Sequence, residues 1–195
     1  MSNDLPLTKE MILDAAEQVL RRFGPDKTSV VDIAKVLQVS HGTVYRHYPS
    51  KAALREAVTE RWLVGCISAP LAEIVHDEKG SAAERLYLWL STLRKSKRDY
   101  FMKDAEMFAM YAAETQDSVE IVTAHVNHLI QQIAAIVEQG ILAKEFKPGQ
   151  PEVIARAIFL ATSRFHHPAH AKQWLSEGEE EDFRAVWELL LRGIT

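Results

Sequence analysis

Residues 30–51, VVDIAKVLQVSHGTVYRHYPSK, constrain the fold more than any other part of the chain. Their pattern predicts two short helices joined by a tight turn. The fifth residue, Ala34, is small enough to let the helices cross closely, and the fifteenth, Val44, is the apolar residue that packs beneath the second helix. The ninth is Gln38, where such a turn normally has a glycine. A positive φ at this non-glycine residue costs on the order of 1 kcal/mol, which a packed turn can absorb.

The second of these helices has a polar outer face. Ile33, Leu37 and Val39 complete the small core beneath it, and hydroxyl, imidazole and guanidinium groups remain to point outward. Such groups bind DNA phosphates or base edges. The outward set is Ser40, His41, Thr43, Tyr45, Arg46 and His47. The sequence therefore predicts a DNA-binding transcription regulator, and an ordinary amphipathic helix pair is the alternative.

The composition favours an all-α protein. The chain has 195 residues, of which 47% are hydrophobic, and it has few glycines and prolines and no run of alternating β-branched residues. The net charge of -4 means that DNA binding depends on a few well-placed groups rather than on bulk charge. Cys66 is the single cysteine, so no internal disulfide forms. With no signal peptide and no membrane span in the sequence, we expect a cytoplasmic protein.

Capping residues and apolar periodicity divide the chain into helices. Thr8 caps the first, which stops at Gly24, and Ser29, Ser40 and Ser50 cap the next three. Further helices are predicted over residues 81–97, 99–114, 118–140, 151–167 and 181–192.

The helix over 151–167 is apolar nearly all round, and the last helix has an aromatic-rich stripe. A soluble helix without a polar face must be covered on every side, and a second subunit can supply that cover. The sequence therefore predicts a homodimer, with the alternative that both helices fill the core of one subunit. The predicted interface residues are Ile158, Phe159, Phe183, Trp187 and Leu190.

Over its first quarter the chain resembles the TetR-type repressors (the TetR/AcrR family). The resemblance is carried by Ile12, Ala15, Ala16, Leu20, Gly24, Thr28, Ser29, Ile33, Ala34, Val39, Ser40, Gly42, Thr43, Val44, Tyr45, His47, Tyr48, Ser50, Lys51 and Leu54. It implies an all-α fold with an N-terminal three-helix helix-turn-helix domain, residues 1–51. It also implies a larger C-terminal helical domain for ligand sensing and dimerisation, residues 52–195.

The same resemblance assigns DNA contacts by position. It implies that His41, Gly42, Thr43, Tyr45 and Arg46 face the major groove. Phosphate contacts are implied for Ser29, Thr43, His47 and Lys51. Tyr48 is expected to pack beneath the unit rather than to touch DNA.

The second half of the chain holds a concentration of histidines among aromatic residues and methionines. An adaptable ligand pocket uses such residues, although plain core packing uses them too. The predicted pocket residues are Trp62, Met102, Glu106, Met110, Tyr111, His125, Leu129, Phe165 and His166. No cofactor or metal is predicted, and His125 and His166 are the candidates if a metal binds.

The resemblance implies a repressor that binds a pseudo-palindromic operator in double-stranded DNA as a homodimer and is released by a small-molecule effector. No membrane partner is expected. The alternative is a helical metal-dependent enzyme that uses the histidines, although the sequence contains no metal-binding or nucleophile motif of fixed spacing. A helix-turn-helix used only for protein contacts is a third interpretation.

Overall fold

A computed structural model gives the fold and describes residues 6–77, 79–117 and 119–195. These residues form helices and connecting segments without any β-strand, which confirms the all-α prediction. The α-helices are α1 (Lys9–Phe23), α2 (Val30–Val36), α3 (His41–His47), α4 (Lys51–Leu63), α5 (Ala69–His76), α6 (Ala82–Lys103), α7 (Ala105–Asp117), α8 (Val119–Leu142), α9 (Pro151–Ala161) and α10 (Glu179–Ile194). A π-helical turn, Val64–Ser68, joins α4 to α5. None of the helices described has the length and hydropathy that a membrane crossing requires.

Hydroxyl side chains start the first four helices, as the sequence predicted. Thr8, Ser29, Ser40 and Ser50 each accept a hydrogen bond from the backbone N–H three residues later, at 3.0 to 3.2 Å. Each bond satisfies one of the N–H groups that the first turn of a helix leaves without a partner. The caps therefore fix where the helix-turn-helix elements begin.

The turn between α2 and α3 forms without glycine. Gln38 has a φ of 56°, the left-handed conformation that the sequence predicted for this position. The Val39 N–H donates to the Ala34 carbonyl at 3.0 Å and closes the turn. Ala34 and Val44 are both buried, as predicted for the two positions that set the crossing of the helices.

The predicted break between the sixth and seventh helices was wrong by several residues. A break was expected near residue 98, but α6 continues to Lys103 because no proline or glycine interrupts it. Asp104 ends the helix with a ψ of 58°. Its N–H donates to the Tyr100 carbonyl, and its carboxylate accepts from Arg21 Nε of α1 at 3.1 Å.

The chain between α9 and α10 also differs from the prediction. A helix to residue 167 was expected, but α9 ends at Ala161 and two 3-10 segments follow, Ser163–Phe165 and Pro168–Leu175. Thr162 turns its hydroxyl back to the Ile158 carbonyl at 2.9 Å, and Pro168 has no N–H to continue a helix. Ser118, the predicted start of α8, lies outside the described residues.

Candidate nucleic-acid interface and open cavity

The outer face of α3 carries the residues predicted to contact DNA. His41, Gly42, Tyr45 and Arg46 are exposed, and none of the nine predicted residues is buried. Val44, on the opposite side of α3, has no exposed surface. The buried Val44 therefore holds a polar face outward over the helix-turn-helix core.

Hydrogen bonds within α3 orient this face. Thr43 Oγ1 lies 2.9 Å from Ser40 Oγ and accepts from Arg46 Nη2 at 3.2 Å. The His41 ring meets the Tyr45 ring edge-to-face with 6.3 Å between centroids. A Cβ at Gly42 would approach only Ser40 Oγ, at 3.8 Å, so packing within the chain does not require glycine there. The absence of a side chain at Gly42 leaves room for another molecule to approach the backbone of α3.

The remaining predicted contact residues differ in exposure and in whether another side chain already binds them. Ser40, His47 and Lys51 are exposed or half-buried at the same end of the domain. Ser29 donates its hydroxyl to the Asp32 carboxylate at 2.6 Å, and this bond lowers the pKa of Asp32. A phosphate would compete with Asp32 for that hydroxyl. Tyr48 is buried beneath the unit, as predicted.

A cavity of about 390 Å³, open to solvent on one side, lies between α4, the π-helical turn and α8. Its lining consists of Glu60, Leu63, Val64, Ser68, Glu120, Ile121, Ala124, His125 and His128. His125 is the one predicted pocket residue in this lining. Small and aliphatic side chains form most of the wall. Because such residues are common throughout helices, the sequence did not indicate that these ones line a cavity.

The other predicted pocket residues lie elsewhere in the structure. Met102 is 60% exposed because α6 carries it to the solvent at its last turn. Glu106 is also exposed, and its carboxylate lies against Gly24 of α1 rather than near His125. These two residues therefore do not line this cavity. The residues buried in the core around the cavity are Trp62, Met110, Tyr111, Leu129, Phe165 and His166.

The two candidate metal-binding histidines have partners of other kinds. His125 Nδ1 lies 3.3 Å from Ser68 Oγ, and His166 Nε2 lies 3.3 Å from the Phe159 carbonyl. The described residues contain no group of three or more histidine, cysteine, aspartate or glutamate side chains that could hold a metal ion. The charges near these histidines and their burial lower the pKa of each to about 3, with burial the larger cause. Both are neutral at pH 7.

The residues predicted for the dimer interface lie in the core of one subunit. Ile158, Phe159, Phe183 and Trp187 are buried, and Leu190 is half-buried. The ring of Tyr87 on α6 helps to bury two of them. Its centroid lies 6.0 Å from that of Phe183 and 5.3 Å from that of Trp187. Four of the five therefore pack inside one subunit, as the alternative expected, and the position of the dimer interface stays a prediction. The apolar residues left exposed on α9 and α10 are Val153, Leu160 and Leu189.

Ion pairs join α1 and α4 to each other and to the region of α7. Arg61 of α4 pairs with Asp14 and Glu17 of α1. Arg55 of α4 pairs at 2.7 Å with Glu114 of α7, whose carboxylate is 5% exposed. Together with the Arg21–Asp104 pair, these contacts connect the helix-turn-helix unit to both ends of α7.

Two family models match the chain. The model for bacterial regulatory proteins of the tetR family matches residues 12–58, and the model for the tetracyclin repressor-like C-terminal domain matches residues 82–187, more than half of the chain. The chain belongs to the TetR family. This TetR-family protein is a helix-turn-helix transcriptional regulator and not an enzyme, so the metal-dependent enzyme alternative was wrong.

Sequence relatives of this TetR-family chain are themselves regulators. The uncharacterized HTH-type transcriptional regulator Rv1255c of Mycobacterium tuberculosis is 33% identical over 96 residues, which are 48% of this chain and 45% of that protein. YvdT of Bacillus subtilis, also an uncharacterized HTH-type transcriptional regulator, is 36% identical over 69 residues, which are 35% of this chain and 36% of YvdT. The chain thus matches less than half the length of these curated relatives.

Solved structures share the fold over almost the whole TetR-family chain. SmeT, the repressor of the Stenotrophomonas maltophilia multidrug efflux pump SmeDEF, has a TM-score of 0.67 at 18% identity, covering 96% of this chain and 90% of SmeT. FadR from Bacillus subtilis in complex with stearoyl-CoA has a TM-score of 0.64 at 21% identity, covering 96% of this chain and 100% of FadR. At these identities the likeness concerns the fold alone.

Proposed function

We propose that this TetR-family regulator is a repressor that binds a pseudo-palindromic operator as a homodimer and leaves it when a small molecule binds. We assign residues 1–51 to DNA binding and residues 52–195 to sensing and dimerisation. The observation that carries the proposal is the exposed polar face of α3, held outward by the fully buried Val44. SmeT is described as a repressor, and FadR was solved with a bound acyl-CoA, so both roles occur on this fold.

The proposed DNA contacts divide into two kinds. Tyr45 and Arg46 reach base edges in the major groove, because they are exposed on the outer face of α3. Ser40, His47 and Lys51 bind the phosphates that flank it. Thr43 holds Arg46 through its hydroxyl and so fixes the direction of the guanidinium.

The proposed dimer uses the outward faces of α9 and α10. Val153 and Leu160 are seven residues apart, which places them on one face of α9, and both are exposed in one subunit. The start of α9 lies beside the end of α10, where Ile154 and Ile194 line one groove. Leu189 of α10 is 72% exposed. A two-fold axis through this surface would cover these apolar side chains and present two copies of α3 to one side of a duplex.

The proposed release acts through α4. This helix begins at Lys51, at the DNA-binding end, and reaches the cavity at Leu63. Twelve residues of helix span about 18 Å, so α4 connects the two sites directly. A ligand that favours one position of α4 shifts the population of the DNA-binding form, and a shift from 1:99 to 99:1 needs about 5.5 kcal/mol of differential binding.

Selection of duplexes from a random pool by the full-length protein tests the proposal. We expect an enriched sequence with two inverted half-sites, whose spacing reflects the two-fold axis of the dimer. Sedimentation of the complex should give two chains for each operator. Failure to enrich any sequence at low salt would contradict the proposed function and would favour a helix-turn-helix used for protein contacts.

A further inference from the structure

Lys97 is a buried cation in the middle of the sensing helices. It lies on α6 and is 1% exposed, and its Nζ has no hydrogen-bond partner among the residues that the structure describes. The ammonium lies 3.9 Å from the centroid of the Tyr111 ring. A ring face offers only a weak partner for a buried charge, which is otherwise costly unless a counter-ion accompanies it. The core therefore contains an amine whose charge has no anionic partner among the described residues.

Lys97 lies level with the cavity residue His125. The Arg85–Gln139 and Trp89–Gln132 hydrogen bonds set α6 and α8 antiparallel, and Lys97 is two turns after Trp89 as His125 is two turns before Gln132. His125 lines the cavity and is bonded to Ser68 through Nδ1, while its Nε2 is buried and has no partner among the described residues. Tyr111 packs 5.5 Å from Trp62 between centroids, next to the cavity residue Leu63 on α4. Lys97 is not among the lining residues and lies buried behind His125. When Ser68 donates to Nδ1, Nε2 of His125 carries the proton and can donate to a ligand.

We propose that the effector is a monocarboxylate with an apolar body, that His125 donates to its carboxylate at the buried wall of the cavity, and that the ammonium of Lys97 behind His125 balances its charge. This inference rests on the proposed function, because it names the chemical class of the molecule that releases the repressor. The lining also supplies aliphatic contacts from Leu63, Val64 and Ile121 for the body of the ligand. At about 30 Å³ for each non-hydrogen atom, as for water, the cavity of about 390 Å³ holds roughly 13 such atoms.

The charges around the cavity favour one negative charge over two. Lys97 is a single compact cation, whereas phosphate groups are commonly bound by several donors or by the paired N–H groups of arginine. Glu60 and Glu120 lie in the lining and are exposed to solvent, so they add weak repulsion for a dianion or a nucleotide. A carboxylate at the end of an apolar chain or ring carries one negative charge and presents an apolar body to the lining.

Titration of Lys97 gives the proposal a second readout. Burial lowers the pKa of Lys97 to about 7, and its charge in turn lowers the pKa of His125, His166 and His167. Among the described residues, the titratable groups that contact Lys97 or respond to its charge are Tyr111 and these histidines, and none of them is an acid that is ionised at neutral pH. A bound carboxylate would favour the protonated amine. Binding at pH 8 should therefore take up most of one proton for each site.

Calorimetric titration of the full-length protein without DNA tests the site. The probes are hexanoate, octanoate and decanoate, each compared with the primary alcohol of the same length. We expect at least one carboxylate to bind ten times more tightly than its alcohol, and Lys97→Met to remove that preference without weakening the alcohol. Lys95→Met is the matched control, because Lys95 is exposed on the same helix. It should behave as wild type.

Two results would overturn the site. One is equal binding of every carboxylate and its alcohol by wild type, and the other is a preference that survives in Lys97→Met. If Lys97→Met does not fold, Lys97→Gln and the proton uptake of wild type decide the question. Carboxylate binding without proton uptake at pH 8 would contradict the role of Lys97.

The inference and the proposed function can fail separately. If the duplex selection yields an operator but no carboxylate binds, the effector class is wrong and the DNA-binding function stands. If a carboxylate binds through Lys97 but no duplex is enriched, the site stands and the proposed function is wrong.

Discussion

The Arg61 guanidinium on α4 donates two hydrogen bonds to one carboxylate oxygen of Glu17 on α1, from Nε at 2.9 Å and from Nη2 at 2.5 Å. Its Nη1 donates to Asp14, one turn earlier on α1, at 2.8 Å. Three donors of one planar side chain therefore fix the angle between the helix that supports the DNA-binding unit and the helix that reaches the cavity.

Replacing Arg61 by Leu should loosen α4 from α1. We expect a loss of about 1 kcal/mol in the free energy of unfolding, less than a fully buried charged network would give because Arg61 is partly exposed. The change in operator affinity on effector binding should also decrease, because α4 could then move without α1. Urea denaturation and operator titrations measure the two effects. Lys35→Leu is the control, since its pair with Asp32 is largely exposed.

Replacing Tyr45 or Arg46 by Ala should weaken operator binding while the dimer stays intact. Loss of a base contact costs about 1–3 kcal/mol, which is roughly a 5- to 150-fold weaker affinity. Both residues are exposed, so their removal leaves the core unchanged. Fluorescence anisotropy with the selected duplex measures the affinity, and Lys172→Ala, in the C-terminal half, controls for charge. A Tyr45→Ala protein with wild-type affinity would show that α3 is misplaced on the DNA.

Local chemistry explains which elements could be predicted from the sequence. The four helix starts and the helix-turn-helix core depend on residues close together in the chain, so Ser29, Ser40, Ala34 and Val44 were assigned correctly. The positive φ of Gln38 followed from its position in the turn. These features need no knowledge of how distant helices pack.

The cavity and the subunit interface depend on long-range packing and were not predictable in the same way. The apolar stripe that contains Phe183 and Trp187 predicted contacts with a second subunit, but in the structure Tyr87 of the same subunit packs against both rings. Met102 seemed to be a pocket residue because the length of α6 could not be known. Lys97 reads as one more surface base in a polar stretch, and its burial emerges only from the arrangement of α6 and α7.

Replacing Gln38 by Gly should stabilise the helix-turn-helix unit. Gln38 has a φ of 56°, where a side chain costs on the order of 1 kcal/mol, and the greater freedom of glycine in the unfolded chain offsets part of the gain. We expect a net increase of roughly 0.5 kcal/mol in the free energy of unfolding. Gln38→Ala keeps the strain and should give no increase. Thermal and urea denaturation of the two variants distinguish backbone strain from loss of the glutamine side chain.

Replacing Leu189 by Glu should separate the proposed dimer. Leu189 is 72% exposed on α10, so the charge is tolerated in one subunit but would be buried between two. Sedimentation equilibrium should show monomers at concentrations where wild type is dimeric. Leu88→Glu on α6 is the matched control, since Leu88 is 52% exposed and lies outside the proposed interface. A Leu189→Glu protein that remains dimeric would place the interface on another face.

The buried histidines should make the fold less stable in acid. Burial and the Lys97 charge lower the pKa of His166 to about 3 from an ordinary value near 6.5. The unfolded chain therefore binds a proton at His166 before the folded protein does. Above pH 6.5 neither state is protonated there, and stability is complete. As the pH falls from about 6.5 to about 3, stability is lost at up to about 1.4 kcal/mol per pH unit.

His166→Gln should reduce this loss, because glutamine can still donate to the Phe159 carbonyl but does not titrate. Urea denaturation at several values between pH 4.5 and 7 should give a shallower decrease in the free energy of unfolding for the variant than for wild type. The control is His76→Gln, which removes an exposed histidine and should keep the wild-type slope. Equal slopes for wild type and His166→Gln would mean that His166 takes up its proton in the folded protein as readily as in the unfolded chain.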